Sequence, residues 1–459
     1  MKGRLSDVVA AAGGRLAGED AGFAGVSTDS RSIERGMLFV ALRGERFDGH
    51  EYVGGAAARG AAAAVVSRAV DVALPQAVVG DTLAALAAMA SAWRARSGAL
   101  VLGVGGSNGK TTTKEMLAGI LAGVGATLAT RGNLNNHIGV PLTLLRLEPG
   151  HRYAVVEMGA NHPGEIAALA TLAKPAIALV TNAGDEHLEG FGDLEGVARA
   201  EGEMYAALGD GGTAVVNADD PFAALWESMA PAGAKVLRFG IDAPADVRAA
   251  SIQGRIEAGA FTTTFTLAIA GDEARVHLGL AGRHNVSNAL GAAAAAHAAG
   301  IGIDDIAGGL GRMRPVAGRL QLKPGPRGSW LIDDSYNANP SSVRAGIDVL
   351  CALPGEHWLV LGEMAELGDE TVASHAGVGD YARRAGVSRL FAMGAAARHA
   401  TDAFGARAMW YADAASLGNA LAASLERGVT ALVKGSRINR LERVIERLVP
   451  PLPAAGNGN

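Results

Sequence analysis

The sequence predicts an α/β protein of three domains. These are a small amino-terminal α/β domain (residues 1–82), a central doubly wound, mostly parallel sheet with a phosphate-binding P-loop (83–314, with 83–98 as connector helix), and a Rossmann-like carboxyl-terminal domain (315–450). A disordered tail (451–459) is expected to follow. Three observations carry this reading. The chain has 459 residues, enough for about three domains at ~150 residues each. From residue 100 onward, apolar runs of strand length alternate with helical stretches, the pattern of parallel strands joined by crossover helices. Between the first such run and the first such helix lies a glycine-rich turn ending in Lys110 and Thr111. In that strand–loop–helix order, backbone N–H groups can cradle phosphates.

Composition narrows the function classes. Hydrophobic residues make up 49% of the chain and charged residues 19%, the balance of a globular protein with sizeable cores. The net charge of −5 argues against general affinity for nucleic acid or an anionic membrane. The one cysteine, Cys351, leaves no internal disulfide and no cysteine-based metal cluster. The apolar patch after Lys2 and Arg4 is too short for a signal peptide, and no apolar run reaches the ~20 residues of a membrane span. A cytoplasmic protein without membrane insertion is expected.

In the amino-terminal domain, residues 37–42 and 62–66 read as buried strands and 52–59 as a helix. Two polar clusters lie between them, one with Asp29, Ser30 and Arg31, the other with Arg46, Asp48 and His50. Two readings are open: ordinary loop polarity, or a pocket for an anionic or sugar-bearing ligand with Arg31 or Arg46 as phosphate partner. Asp81 and Thr82 then cap a helix running to about Arg96.

The stretch 100–116 organises the rest. Gly105, Gly106 and Gly109 let the chain curl with its N–H groups inward around Ser107 and Asn108. Lys110 can reach terminal phosphates, the Thr111 hydroxyl is placed to ligate Mg²⁺, and Thr112 follows it. Val104 stands where the full phosphate-loop pattern has its first glycine, so only the shorter G-x-x-G-K-T core is present.

Strands at 153–156, 177–180 and 213–216 alternate with helices at 163–172, 194–208 and 222–229. In such sheets ligands gather at the carboxyl ends of the strands. Glu157 follows the first of these strands, and Asn182 and His187 follow the second. They read as Mg²⁺ or phosphate partners, or else as a surface carboxylate and a surface histidine. Residues 246–280 alternate as an antiparallel extension of the sheet. His284, Asn285 and Asn288 then open an alanine-rich helix, either as caps or with the two amides turned to a base edge. In the third unit, a strand from Trp330 runs into Asp334, Tyr336, Asn337 and Asn339. Strands at 358–361, 389–393 and 430–433 follow, the last leading into Lys434, Ser436 and Arg437, a basic glycine turn suited to anions.

These segments together resemble the Mur ligase family over nearly the whole chain. The shared signature is residues 106–112, Glu157-Met-Gly, Thr181-Asn with His187, Gly282-Arg-His-Asn with Asn288, Gly318-Arg319 and Asp334. The stretches 132–141, with Asn135 and Asn136, 333–340 and 361–368 resemble the branch that adds a dipeptide. No Asn-Pro-Arg motif of the branch adding the third amino acid is present.

The resemblance implies ATP- and Mg²⁺-dependent transfer of D-alanyl-D-alanine to a UDP-N-acetylmuramoyl-tripeptide through an acyl phosphate, by a monomer. It places residues 106–112 on the phosphates, Thr111 and Glu157 on one Mg²⁺, Asn288 on adenine, Asp334 on ribose and Arg319 near the γ-phosphate. Asp29, Ser30, Arg31, Arg46, Asp48 and His50 would take the UDP moiety. Asn135, Asn136, Tyr336, Asn337, Asn339, Ser436 and Arg437 would face the peptide substrates, with Lys434 at the acyl phosphate. His187 would help hold a second Mg²⁺, for which relatives use a carbamylated lysine. That lysine position falls on Glu201, a permanent carboxylate expected to serve the ion through water or after a small helix shift. Rival readings are a single-amino-acid-adding Mur ligase, a ligase like folylpolyglutamate synthase, and a P-loop kinase or ATPase.

Overall fold

Buried on both faces, the apolar runs Leu100–Gly105, Tyr153–Glu157, Ile177–Val180 and Thr213–Asn217 form the inner strands of one nine-stranded sheet. The computed structural model describes residues 1–186 and 188–449; His187, residue 450 and the tail expected at 451–459 lie outside them. The order across the sheet is Asp272–Leu278, Ala260–Ile269, Val247–Glu257, Lys235–Gly240, Thr213–Asn217, Ile177–Val180, Leu100–Gly105, Tyr153–Glu157 and Thr127–Ala129. Pairing is parallel from Val247–Glu257 through to Thr127–Ala129. The last two strands, Ala260–Ile269 and Asp272–Leu278, add on antiparallel, as the alternating pattern at 246–280 requires. Register aligns the functional ends. Glu157 lies opposite Val104 and Gly105 opposite Val180, so the glycine turn, Glu157 and Thr181 leave the sheet at one edge.

Five strands make the amino-terminal sheet, in the order Arg15–Ala17, Gln76–Val78, Ala63–Val66, Leu38–Val40, Val26–Ser27, beside a two-stranded pair of Lys2–Arg4 with Gly22–Ala24. The helix expected at 52–59 begins instead as a 3₁₀ turn, Gly49–Tyr52, before Val53–Ala58, because the Asp48 carboxylate accepts from His50 N at 3.0 Å and tightens the entry. Asp81 caps the connector helix Thr82–Ala95, accepting from Leu83 N at 2.7 Å and Ala84 N at 3.0 Å. Leu86 and Met89 of that helix join a core that contains Leu38 and Val65 on one side and Val101 and Val156 on the other. The two sheets therefore share one apolar cluster.

The carboxyl-terminal sheet has six strands: Gln321–Pro324, Trp330–Asp334, Val429–Lys434, Glu356–Gly362, Arg389–Met393 and Ala408–Tyr411. All its pairs are parallel except the first. Asp334 and Lys434 sit opposite each other at its carboxyl edge.

Candidate active site

The phosphate loop is stapled to the segment after the neighbouring strand. Ser107 N donates to Asn182 O at 2.8 Å, and Asn108 N to Asn182 Oδ1 at 3.0 Å. Asn108 O accepts from Thr181 Oγ1 at 2.7 Å and Asn182 Nδ2 at 2.9 Å. Two glycines are required by this packing. Gly106 has φ +107°, and a Cβ there would meet Thr181 Oγ1 at 2.2 Å. Gly109 has φ +86°, and its Cβ would meet Asn288 Oδ1 at 2.2 Å.

From the first turn of the helix Lys110–Ala122, Lys110 Nζ reaches Ser107 O and Glu186 Oε1, each at 3.0 Å. Burial works against its ammonium, but Glu186, Glu201 and Glu157 outweigh that and hold its pKa above the ordinary value. Thr111 Oγ1 donates to Glu157 Oε1 at 3.2 Å, and Asn135 Nδ2 donates to the same oxygen at 2.9 Å. Glu157 is buried, and among the described residues its Oε2 has no hydrogen-bond partner. A carboxylate oxygen in that setting suits a hard cation. Thr112 is buried beside them and lines the cavity described below.

Glu201 approaches the loop from below. Its Oε2 accepts from Gly106 N at 2.6 Å, within reach of Lys110's field. Burial pushes this carboxyl up to about 7, against the pull of Lys110, with Glu186 adding to the rise. The helix Leu194–Ala206 thus puts a carboxylate on the loop backbone itself.

The carboxyl-terminal domain closes over the loop. A cavity of about 400 Å³ is lined by Asn108, Gly109, Thr112, Asn182, Asn288 and Arg319, with Asp334 and Lys434 beyond. Arg319 Nη2 donates to Thr111 Oγ1 at 3.3 Å, and its guanidinium lies 4.5 Å from the Tyr336 ring centre. Lys434 Nζ donates to Asp334 Oδ2 at 2.6 Å and to Asn337 O at 3.0 Å, while Asp334 Oδ1 accepts from Leu320 N at 3.2 Å. Asn288 Nδ2 donates to Asn285 Oδ1 at 3.1 Å, so the two amides do share a helix face.

Other expected residues spend their side chains locally. Asn136 Oδ1 accepts from Ile138 N at 3.1 Å and Gly139 N at 3.0 Å, shaping the entry to the helix Gly139–Leu144. Ser436 Oγ donates to Ala338 O at 3.1 Å and accepts from Ala365 N at 2.9 Å. Asn339 caps the helix Pro340–Cys351, accepting from Ser342 N at 2.8 Å. Arg437 projects from its turn, exposed, with its guanidinium 5.9 Å from the Tyr336 ring centre.

In the amino-terminal domain, Arg31 grips Asp29 through both carboxylate oxygens (2.9 and 2.7 Å), with Ser30 between them in the turn. His50 Nδ1 meets Asp48 Oδ1 at 2.6 Å, and His50 Nε2 accepts from Ser67 N at 2.9 Å, so the ring proton belongs on Nδ1. Arg68 completes this cluster, 2.7 Å from Asp48 Oδ2, while Arg46 is exposed beside it. Sequence reasoning missed Ser67 and Arg68, although they directly follow the buried strand Ala63–Val66 and obey the strand-end rule used elsewhere. It also missed Glu186, whose acidic place in a loop gave no sign that it pairs with Lys110.

His284 borders the cavity, and its Nε2 lies 3.2 Å from Asn285 Nδ2, an acceptor role that suits only the neutral ring. Burial drives its pKa down to about 4; Asp334 opposes this and Lys434 adds to it. Below the ordinary histidine value the unfolded chain takes up a proton that the folded chain refuses, so stability falls as pH drops from about 6.5 towards 4. His284→Gln keeps an acceptor and takes no proton in either state. Chemical denaturation at about pH 7 and about pH 4.5 should show a smaller acid loss in the variant. An equal loss in both proteins would place the titrating group elsewhere.

Three family models match in order along the chain: "Mur ligase family, catalytic domain" over residues 22–96, "Mur ligase middle domain" over 104–296, and "Mur ligase, glutamate ligase domain" over 318–437. The chain belongs to the Mur ligase family. It is 43% identical over 448 residues to the UDP-N-acetylmuramoyl-tripeptide–D-alanyl-D-alanine ligase of Escherichia coli, covering 97% of each chain. To the ligase of the same name from Bacillus subtilis it is 35% identical, covering 93% of each. Among solved structures, MurF from Acinetobacter baumannii superposes with a TM-score of 0.90 at 34% identity, covering 97% of this chain and 98% of that one. MurF ligase from Thermotoga maritima in complex with ADP gives 0.80 at 28% identity, covering 92% and 96%. The three-domain α/β architecture read from the sequence is that of these Mur ligases.

Proposed function

We propose that this chain joins D-alanyl-D-alanine to the terminal carboxylate of a UDP-N-acetylmuramoyl-tripeptide while ATP is cleaved to ADP and phosphate, a step of peptidoglycan synthesis. One observation carries the reading: a phosphate loop faces a cavity whose other wall, Arg319, Asp334 and Lys434, comes from the opposite side of the domain boundary. Such a site can hold a nucleotide and a second reactant together and exclude water between them.

A carboxylate is a poor electrophile with no good leaving group, so it must be activated. Its oxygen attacks the γ-phosphorus and ADP departs. The dipeptide amine then attacks the acyl phosphate carbon, loses a proton, and inorganic phosphate leaves. The protein's part is charge neutralisation and positioning. The N–H groups that open the helix Lys110–Ala122 and the Lys110 ammonium take the phosphates, since those of Gly106, Ser107 and Asn108 are held by Glu201 and Asn182, and Arg319, on the Thr111 hydroxyl, is aimed at the same charge. Asn288 serves adenine and Asp334 ribose, while Lys434 and Arg437 meet the acyl phosphate or the dipeptide. The peptide end of the acceptor lies against Asn135, and its UDP end against Asp29, Arg31, Arg46, Asp48 and His50. We divide the chain accordingly, with UDP binding in residues 1–82, ATP binding in 83–314 and dipeptide binding in 315–450. We place its work in the cytoplasm, where ATP and a UDP-linked precursor meet, and as a monomer; among the described residues no helix is long and apolar enough to cross a membrane.

Thr111 and Glu157 fit a Mg²⁺, since the buried Glu157 Oε2 has no partner among the described residues and Mg²⁺ takes its other ligands from phosphates and water. When bound, that ion supplies charge neutralisation on the phosphates. His187 and Glu201 would serve a second one. Glu201→Gln keeps an acceptor for Gly106 N but removes the charge. Ligation by this variant should fall, recover in part with extra Mg²⁺, and ignore added bicarbonate, as should the parent. If it matches the parent at limiting Mg²⁺, Glu201 supports the loop and nothing more.

Measuring ADP release from ATP and tripeptide nucleotide, with and without D-alanyl-D-alanine, tests the whole reading. Release should depend on the dipeptide. Steady release without it favours the kinase or ATPase reading, and equal stimulation by single amino acids favours another branch of the family.

A further inference from the structure

The nucleotide cavity has a seam where the two domains touch, and the seam is a closed hydrogen-bond circuit. Asn108 Nδ2 donates to Ser341 Oγ at 3.0 Å, Ser341 Oγ donates to Asn339 Oδ1 at 3.1 Å, and Asn339 Nδ2 donates back to Asn108 Oδ1 at 2.9 Å. Every donor runs the same way round the ring, so both ends of the Asn108 amide are used and its orientation is set. The backbone of Asn108 is equally committed, its N–H to Asn182 and its carbonyl to Thr181 and Asn182. Asn339 and Ser341 sit at the start of the helix Pro340–Cys351, where Asn339 is the cap. The fit is tight: a Cβ on Gly184 would stand 2.8 Å from Asn108 Nδ2 and 3.0 Å from Ser341 Oγ. Asn108 and Ser341 both line the cavity.

A second contact between the same domains is of another kind. Phe261, on the strand Ala260–Ile269 of the central sheet, is buried in a cluster with Ile332, Val343 and Ile347 of the carboxyl-terminal domain. Apolar burial is non-directional and tolerates rotation about the contact. Hydrogen bonds at these lengths are directional and do not. The ring, together with the Arg319–Thr111 hydrogen bond across the same boundary, and not Phe261, therefore sets the angle at which the carboxyl-terminal domain meets the loop.

We propose that Asn108, Asn339 and Ser341 form a closure latch, through which the phosphate loop holds the carboxyl-terminal domain over the nucleotide, with Ser341 as its positioning residue. The latch rests on the nucleotide reading of the loop and adds a coupling to it: seating ATP on the loop and shutting the domain become one event. Where only a latched population binds productively, weakening the latch raises the apparent dissociation constant in inverse proportion to the latched fraction that remains and leaves the saturated rate nearly unchanged.

Ser341→Ala removes a hydroxyl that is both donor and acceptor in the ring and leaves the Asn339 cap in place; Ser341→Thr restores it. Small-angle scattering and direct binding are titrated with a non-hydrolysable ATP analogue. At every sub-saturating concentration Ser341→Ala is expected to have the larger radius of gyration, and its dissociation constant to rise roughly 3- to 10-fold, the worth of about one hydrogen bond. Its kcat with all substrates saturating should stay within about twofold, and the threonine variant should return to the parent in each respect. Parent-like affinity and scattering in Ser341→Ala would overturn the latch, as would a fall in kcat with no change in either. If the parent itself fails to bind the analogue, the nucleotide reading falls, while the scattering difference between parent and variant still decides whether the ring holds the domains together.

Discussion

Lys110→Ala is expected to abolish measurable ligation in a protein that still folds. Losing one charge-assisted contact to a phosphate in a preorganised site costs roughly 3–4 kcal/mol of transition-state stabilisation, or ~10²–10³ in rate. The side chain is committed to polar groups: its Nζ lies 3.0 Å from both Ser107 O and Glu186 Oε1. Removing it does leave the Glu186 and Glu201 carboxyls without the cation that offsets their repulsion. The thermal midpoint should therefore move slightly while the far-ultraviolet spectrum stays that of the parent. Single-turnover ADP formation with the tripeptide nucleotide separates a chemical defect from a binding defect. Near-parental ligation by a folded Lys110→Ala protein would sink the phosphate-loop assignment.

Much of this site was legible because it obeys one rule. Glu157, Thr181, Asn182, Asp334 and Lys434 each end or directly follow a buried parallel strand, and periodicity locates such strands well. The alternation at 246–280 likewise foretold the antiparallel edge now seen in Val247–Glu257, Ala260–Ile269 and Asp272–Leu278. Strands with mixed faces were not foreseen. Lys235–Gly240 is exposed over much of its length and carries Lys235 and Arg238, so its apolar signal is weak.

Pairings were harder to read than positions. Lys434 and Asp334 are 100 residues apart, and they meet only because their strands are neighbours in register, a fact of sheet order that no local pattern encodes. The Asn108 ring spans more than 230 residues and crosses a domain boundary, which no local pattern encodes either. Asn136 shows the opposite difficulty. Its place in a diagnostic segment suggested a substrate contact, but a short polar side chain next to a helix start competes for backbone N–H groups, and there Ile138 and Gly139 took it. Glu201 has both characters. The resemblance pointed to a metal, whereas its nearest partner is the loop's own Gly106 N–H.

Glu157→Gln carries the second large effect. Amide and carboxylate have the same shape, so the acceptor that Thr111 Oγ1 and Asn135 Nδ2 share through Oε1 can be kept. What is lost is the negative charge at Oε2, a buried oxygen without a partner among the described residues. A structural role for Glu157 would survive the change, because the hydrogen bonds it makes remain available. A role as Mg²⁺ ligand would not, since a neutral amide oxygen is a much poorer ligand for a hard cation than a carboxylate. Ligation at limiting Mg²⁺ is expected to fall by ~10²–10³, the scale of one lost electrostatic contact in a preorganised site. Raising Mg²⁺ should recover part of the rate. Stability should change little, because Lys110, for which Glu157 is one of three neighbouring carboxylates, keeps Glu186 and Glu201. The decisive plot is ligation rate against Mg²⁺ concentration for parent and variant. Curves that superimpose would show that Glu157 only braces Thr111 and Asn135, and the ion would have to be sought elsewhere on the loop.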